Sequence, residues 1–131
     1  MSDAPESFPV PGTVSWFDLT VDDADPIRKF YEEVTGWTNE PVDMGGYKDH
    51  CMVASDGATV AGICHAKGSN AGIPPVWIIY VQVDDIAATV DKCIANGGEV
   101  IQGARNAGGG TMAILKDPAG ACFGVYASRK S

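Results

Sequence analysis

Asp18 is the residue whose type and place most call for a chemical explanation. It stands in the middle of an alternating run, Trp16-Phe17-Asp18-Leu19-Thr20-Val21, which puts it on one strand face with Trp16 and Thr20 while Phe17, Leu19 and Val21 take the other. A carboxylate in mid-strand is unfavourable unless it is solvated, paired or used. In use, it would bind a polar or cationic ligand group or accept a proton as a general base. The plainer alternative is a solvated residue on an open sheet face. Sixty-two positions later the run Ile78-Ile79-Tyr80-Val81-Gln82-Val83 repeats the alternation, with Ile78, Tyr80 and Gln82 on one face. Tyr80 offers a phenol, although aromatic side chains such as Trp16 and Tyr80 more often serve as packing anchors.

The remaining reactive types are less suggestive. Cys51, Cys64, Cys93 and Cys122 are widely spaced without a C-x-x-C pair, which reads as reduced, mostly buried small hydrophobes rather than a disulfide framework or zinc site. Cys122 has no positioned base to make it a nucleophile. His50 and His65 fall on strand-like pieces. An atypical metal cluster, formed by their meeting each other or Cys51 and Cys64, is the minor reading, because adjacent strand residues point to opposite faces. Asp22, Asp23, Asp84 and Asp85 stand where strands run into helices, so capping explains them. Gly108-Gly109-Gly110 precedes neither Lys-Ser/Thr nor a helix and is no phosphate loop; it reads as a flexible joint between strands.

The elements that position these residues come in two similar rounds. Residues 1–12, with Pro5, Pro9, Pro11 and Gly12, read as a poorly ordered arm. A strand over Val14 to Val21 leads into a helix capped by Asp23 or Asp25, with Pro26 in its first turn and Ile27, Phe30, Tyr31 and Val34 packing on a sheet; Gly36 stops it. Strands follow over Thr38 to Val42, Tyr47 to Ala54 and Ala58 to His65, broken at Gly45-Gly46 and Asp56-Gly57. Residues 67–75 read as a linker. The second round runs through a strand over Val76 to Val83, a helix with a stripe of Ile86, Val90, Cys93 and Ile94 ended by Gly97-Gly98, and strands over Glu99 to Gln102, Thr111 to Leu115 and Ala121 to Tyr126. The first strands, the Val-Asp-Asp that ends each, Gly36 with Gly98, and Gly62 with Gly124 all share the 62-residue offset. The chain is a duplicated strand-helix-strand-strand-strand unit, neither copy large enough to bury its own sheet face.

With 131 residues, 45% apolar and 20% charged, the chain has the size and composition of one soluble globular domain. A formal net charge of −8 with scattered Lys and Arg argues against a nucleic-acid partner. The N-terminus shows no secretory signal, and no run is long and apolar enough to span a membrane, so a cytoplasmic location is expected.

A strand ending in Val-Asp-Asp, Phe30-Tyr31 before Thr35-Gly36-Trp37, and the late Asp117-Pro118-Ala119-Gly120 together resemble the vicinal oxygen chelate superfamily: the glyoxalases, bleomycin-resistance proteins and extradiol dioxygenases. Trp77-x-x-Tyr80-Val81 and Val60-Ala61-Gly62 make it especially similar to the glyoxalase-like putative hydroxylases. The resemblance implies an α+β fold of two βαβββ modules, 13–66 and 76–127, forming one domain. Their curled mixed sheet would make a cup with the helices outside, residues 128–131 being a tail. It places the metal ligands of metal-dependent members at Trp16, Gly62, Ile78 and Gly124, and none of these side chains can donate an electron pair to a divalent ion.

The expectation is therefore a protein with no metal and no cofactor, binding a small organic molecule in the cup. The expected ligand set is Trp16, Asp18, Thr20, Ile78, Tyr80, Gln82, Cys122 and Tyr126, with Gly62 and Gly124 as open floor. The alternatives are a metal-independent lyase, isomerase or hydroxylase-like enzyme using Asp18 or Tyr80, and an acidic drug-sequestering protein of the bleomycin-resistance kind. Related single-domain proteins often pair, which implies a homodimer; no nucleic acid and no membrane are expected as partners.

Overall fold

The computed structural model describes residues 10–128. These form two compact units, residues 16–78 and residues 10–15 with 79–128. In the first, β1 (Val14–Val21) leads to α1 (Ala24–Thr35), then β2 (Thr38–Asp43), β3 (Lys48–Val53) and β4 (Thr59–His65). The sheet order is β2-β3-β4-β1, with β1 parallel to β4 and the other neighbours antiparallel. The second unit repeats this plan with β5 (Trp77–Gln82), α2 (Ile86–Ala95), β6 (Glu99–Ala107), β7 (Gly110–Lys116) and β8 (Cys122–Ser128), ordered β5-β8-β7-β6 with β5 parallel to β8. The fold is α+β, a mixed sheet and one helix in each βαβββ round.

Local chemistry accounts for the helix limits. Asp23 caps α1, its carboxylate accepting from Asp25 N–H at 3.2 Å, and Asp85 caps α2 by accepting from Ala88 N–H at 3.1 Å. Such caps contribute about 1 kcal/mol each. Gly36 ends α1 at φ 81°, a left-handed conformation that a side chain would strain.

The first core joins Leu19, Ala24, Met52, Ala61 and Ile63; the second joins Ile86, Ala113, Leu115 and Val125. The expected helix stripes are only partly buried. Ile27 and Tyr31 pack on the first core, but Phe30 and Val34 are 55% and 65% exposed, as Ile94 of α2 is 57%. The contact of α1 with the sheet is partly polar: Glu32 accepts a hydrogen bond from Asn39 Nδ2 at 2.6 Å. Strand β6 also runs five residues beyond the expected Gln102, to Ala107, through register shifts near Gln102. Gly108 and Gly109, both at positive φ, form its hairpin turn. No helix among the described residues is long and apolar enough to cross a membrane.

Candidate functional site

The Asp18 carboxylate is held in place by its own sheet face. Trp16 Nε1 donates to Asp18 Oδ1 at 3.1 Å, and the Cys64 thiol donates to the same oxygen at 3.7 Å. In the parallel β1–β4 ladder Asp18 lies opposite Gly62, and the carboxylate occupies the space that a side chain at Gly62 would need. The glycine is therefore not open floor: it makes room for Asp18. Burial first, and then the Asp18 and Asp49 carboxylates, push the Cys64 thiol far above its ordinary range. Cys51, opposite Gly62 on the other side, is pushed up by burial and then by Glu40, Asp18 and Asp49. Thiols held neutral in this way are not nucleophiles, so the chemistry available on this face is that of a fixed carboxylate beside an indole.

In the second unit the same backbone device holds a different group. Tyr80 lies opposite Gly124 in the parallel β5–β8 ladder, and its ring fills the space beside that glycine, leaving Tyr80 only 7% exposed. The Tyr126 hydroxyl donates to the carbonyls of Ala107 and Gly108 at 3.0 and 3.3 Å and thereby fastens the β6–β7 turn. Gln82 Nε2 donates to Ser128 Oγ at 3.1 Å. Thr20, Ile78 and Gln82 are buried, and half-buried Cys122 begins β8 beside Lys116. Of the residues expected to receive a ligand, Trp16 and Asp18 form a joint polar contact with partial exposure, whereas Tyr80 and Tyr126 are occupied with packing and with the turn.

A second cluster lies on the helix side of the first sheet. His50 stands opposite Ile63, and His65 lies two residues along β4, so both rings share one face, opposite to that of Cys51 and Cys64. Asp25, in the first turn of α1, meets them: its Oδ1 is 3.0 Å from His50 Nε2 and 4.0 Å from His65 Nε2. The meeting of the two histidines, the minor reading of the sequence, is what the structure contains, without the cysteines. Hydrogen bonds set both rings. Asn39 gives its Nδ2 to Glu32, so its Oδ1 faces His50 Nδ1 at 3.0 Å; Ala24 N–H donates to His65 Nδ1 at 3.2 Å. The hydrogen bond with His50 is the main reason the Asp25 carboxyl is held below its ordinary range, burial opposing it and the charges of His50, His65 and Arg28 adding to it. The cluster opens on a cleft of about 1050 Å³ lined also by Arg28, Tyr47, Lys48 and Lys67.

Two mixed βαβββ units with helix-capping Val-Asp-Asp turns define a class of duplicated α+β domains. The model of the Glyoxalase/Bleomycin resistance protein/Dioxygenase superfamily matches residues 13–124, and the chain belongs to that family. It is 37% identical over 123 residues to the putative glyoxylase CFP32 of Mycobacterium bovis, covering 91% of this chain and 47% of that one. It is 34% identical over 124 residues to the anthracycline biosynthesis protein DauV of Streptomyces sp. (strain C5), covering 93% and 44%. The chain thus spans about half the length of these curated relatives. Among solved structures it resembles methylmalonyl-CoA epimerase in complex with methylmalonyl-CoA and NH4+ (TM-score 0.55, 17% identity, 91% and 96% covered) and the epimerase from Mycobacterium tuberculosis (TM-score 0.53, 15% identity, 98% and 97% covered), a likeness of fold.

The family's metal positions can be tested on this fold. Trp16 and Ile78 bring no ligand atom, and the spaces beside Gly62 and Gly124 are taken by the Asp18 carboxylate and the Tyr80 ring. One carboxylate oxygen, already engaged by an indole N–H, does not make the several-donor shell that a divalent ion requires. The residues present do not fit the family metal.

Proposed function

We propose that this domain binds a small organic ligand against the Trp16–Asp18 face, and that it does so without a metal at the family's ligand positions. The observation that carries this reading is the Asp18 carboxylate, fixed above Gly62 by Trp16 Nε1 and Cys64 Sγ. A carboxylate has about four lone-pair sites and accepts charge-assisted bonds, so its complement is an ammonium or a hydroxyl on the ligand. The indole beside it suits an aromatic body. A planar aromatic compound with a cationic arm, as anthracyclines are, meets both requirements, and one similar protein is named for anthracycline biosynthesis. Thr20, on the same face of β1, belongs to this reading as a supporting residue. Pairing of two copies belongs to it too, consistent with the exposed Phe17 and Trp77.

The test is titration of the protein with an anthracycline in the presence of a chelator. Saturable binding that weakens at least about tenfold in Asp18→Asn, by loss of a charge-assisted bond, supports the proposal. Binding that needs added metal, or that is unchanged in both Asp18→Asn and Trp16→Ala, overturns it. In a second reading Asp18 acts as a general base in a metal-independent isomerase or lyase; turnover that survives chelation and disappears in Asp18→Asn would favour that reading over simple binding.

A further inference from the structure

The Asp25–His50–His65 cluster contains a conflict of lone pairs. Asn39 is oriented by its 2.6 Å bond to Glu32, so it presents a carbonyl oxygen to His50 Nδ1, and that nitrogen must carry the ring's proton. Nε2 of a neutral His50 then turns a lone pair toward Asp25 Oδ1 only 3.0 Å away. Either a second ring proton, which makes the Asp25–His50 hydrogen bond, or a metal ion can join two acceptors at that distance. A nitrogen whose ring is oriented by a hydrogen bond at its far side, with a carboxylate beside it, is also how proteins present imidazole to a metal.

The fold itself does not ask for these three side chains. Ala87 and Ala127 stand 62 positions beyond Asp25 and His65. Ala113 stands opposite Val125 as His50 stands opposite Ile63. The second unit builds the same corner from three alanines, and the cleft there is lined by Ala87, Ala127 and Thr111 among others.

We propose that Asp25, His50 and His65 bind a divalent transition ion of the zinc class at the mouth of the first-unit cleft, a site separate from the Trp16–Asp18 face and from the family's metal positions. Ligand atoms each about 2.1 Å from an ion stand roughly 3–3.5 Å apart. The His50–Asp25 pair, at 3.0 Å, is already at that spacing, and His65 Nε2, at 4.0 Å, lies slightly outside it. His65 joins as the third ligand by giving up its bond from Ala24 N–H. That N–H belongs to the first turn of α1, where donors lack helical partners, and it is buried, so zinc binding must offset the loss of its acceptor. Two imidazoles and one carboxylate suit zinc, nickel or cobalt and would leave positions on the cleft side open for water. Asp25 is 65% exposed, so the ion has a path in from solvent.

The experiment is equilibrium dialysis of metal-stripped protein against Zn²⁺, with bound metal measured by mass spectrometry and the histidine ring nitrogens followed by NMR. About one equivalent is expected, with the Nε2 signals of His50 and His65 shifting together and the Ala24 amide exchanging faster with solvent. Asp25→Asn, at an exposed position outside the core, should weaken binding at least about tenfold, and Asn39→Ala, by releasing the His50 ring, by about 10–100-fold. Less than stoichiometric zinc in the wild-type chain would overturn the proposal and leave a proton as the cation between His50 and Asp25. Equal binding by the wild-type and Asp25→Asn proteins would overturn it too, by showing that the zinc sits away from Asp25.

Discussion

The two units use one backbone device for two purposes. In each, a glycine in the last strand lies opposite a residue of the first, Gly62 opposite Asp18 and Gly124 opposite Tyr80, and in each that residue's side chain takes the room the glycine leaves. In the second unit the occupant is a buried aromatic ring, so the device closes a core. In the first it is a carboxylate held by an indole and a thiol, so the device aims a charge. The corner beside the helix N-terminus divides the same way: three alanines in one unit, and in the other Asp25, His50 and His65 with an oriented Asn39. Duplication supplied two equivalent scaffolds, and the polar groups are concentrated in the first. That concentration is the argument for looking there for function and to the second unit for stability.

The sharpest way to break this comparison is to add one methyl group at each glycine. In Gly124→Ala the new Cβ would overlap the Tyr80 ring, which is buried and has no exit, so a loss of about 2–3 kcal/mol is expected, read as a fall in the urea midpoint. In Gly62→Ala the overlap is with a carboxylate that can swing toward solvent, and the expected loss is about 1 kcal/mol with ligand binding weakened instead. Equal losses of stability in the two variants would contradict the division of roles.

A smaller effect separates the two helix corners. His65→Ala removes the acceptor for Ala24 N–H and the edge-on contact of the imidazole with the Tyr47 ring, whose centroids are 5.4 Å apart. The expected loss is about 1–2 kcal/mol, because the amide is left buried. The equivalent Ala127→Gly, with no polar partner at stake, should cost less than about 1 kcal/mol. If the two cost the same, His65 would have no structural bond to give up and its place in the zinc site would need another explanation.

How far the sequence reveals this molecule depends on whether one strand or several elements decide a feature. Alternation within β1 is enough to put Trp16 and Asp18 on one face, and the 62-residue offset is enough to pair Gly62 with Gly124, so the βαβββ order is legible; that Trp16, Gly62, Ile78 and Gly124 stand at the family's metal positions comes from the resemblance alone. The occupancy of the glycine spaces is not, because it depends on the register between β1 and β4, which places Asp18 opposite Gly62. The Asp25 cluster is harder still. Its members come from a helix and two strands, so only the packing of α1 against β3 and β4 brings Asp25 to the histidines. A signal was present: His50 and His65 stand at the same kind of inward strand position as Ile63, which is unusual for two histidines unless something faces them. Strand alternation, which puts His50 and His65 on the face opposite Cys51 and Cys64, is what makes a metal cluster the minor reading of the sequence.

The smallest expected effect concerns the thiol beneath the carboxylate. With the Cys64 pKa raised above its ordinary value of about 9 by burial and by Asp18, the native protein keeps a proton that the unfolded chain releases. Stability is therefore unaffected below about pH 9 and declines as the pH climbs beyond it, by at most about 1.4 kcal/mol per pH unit and by less for a group that is only half-buried. The second unit has no equivalent, since Tyr80 brings no charge to raise the pKa of a neighbouring thiol. Urea midpoints of the wild type and Cys64→Ala measured from about pH 7 to 10 isolate this contribution, as lysine and tyrosine titrations are common to both. The stability advantage of the wild type should be constant up to about pH 9 and then narrow. A constant gap across the whole range would mean that the Cys64 thiol is neither shielded from water nor held beside the Asp18 carboxylate in solution, and the packing that fixes the carboxylate over Gly62 would be in question with it.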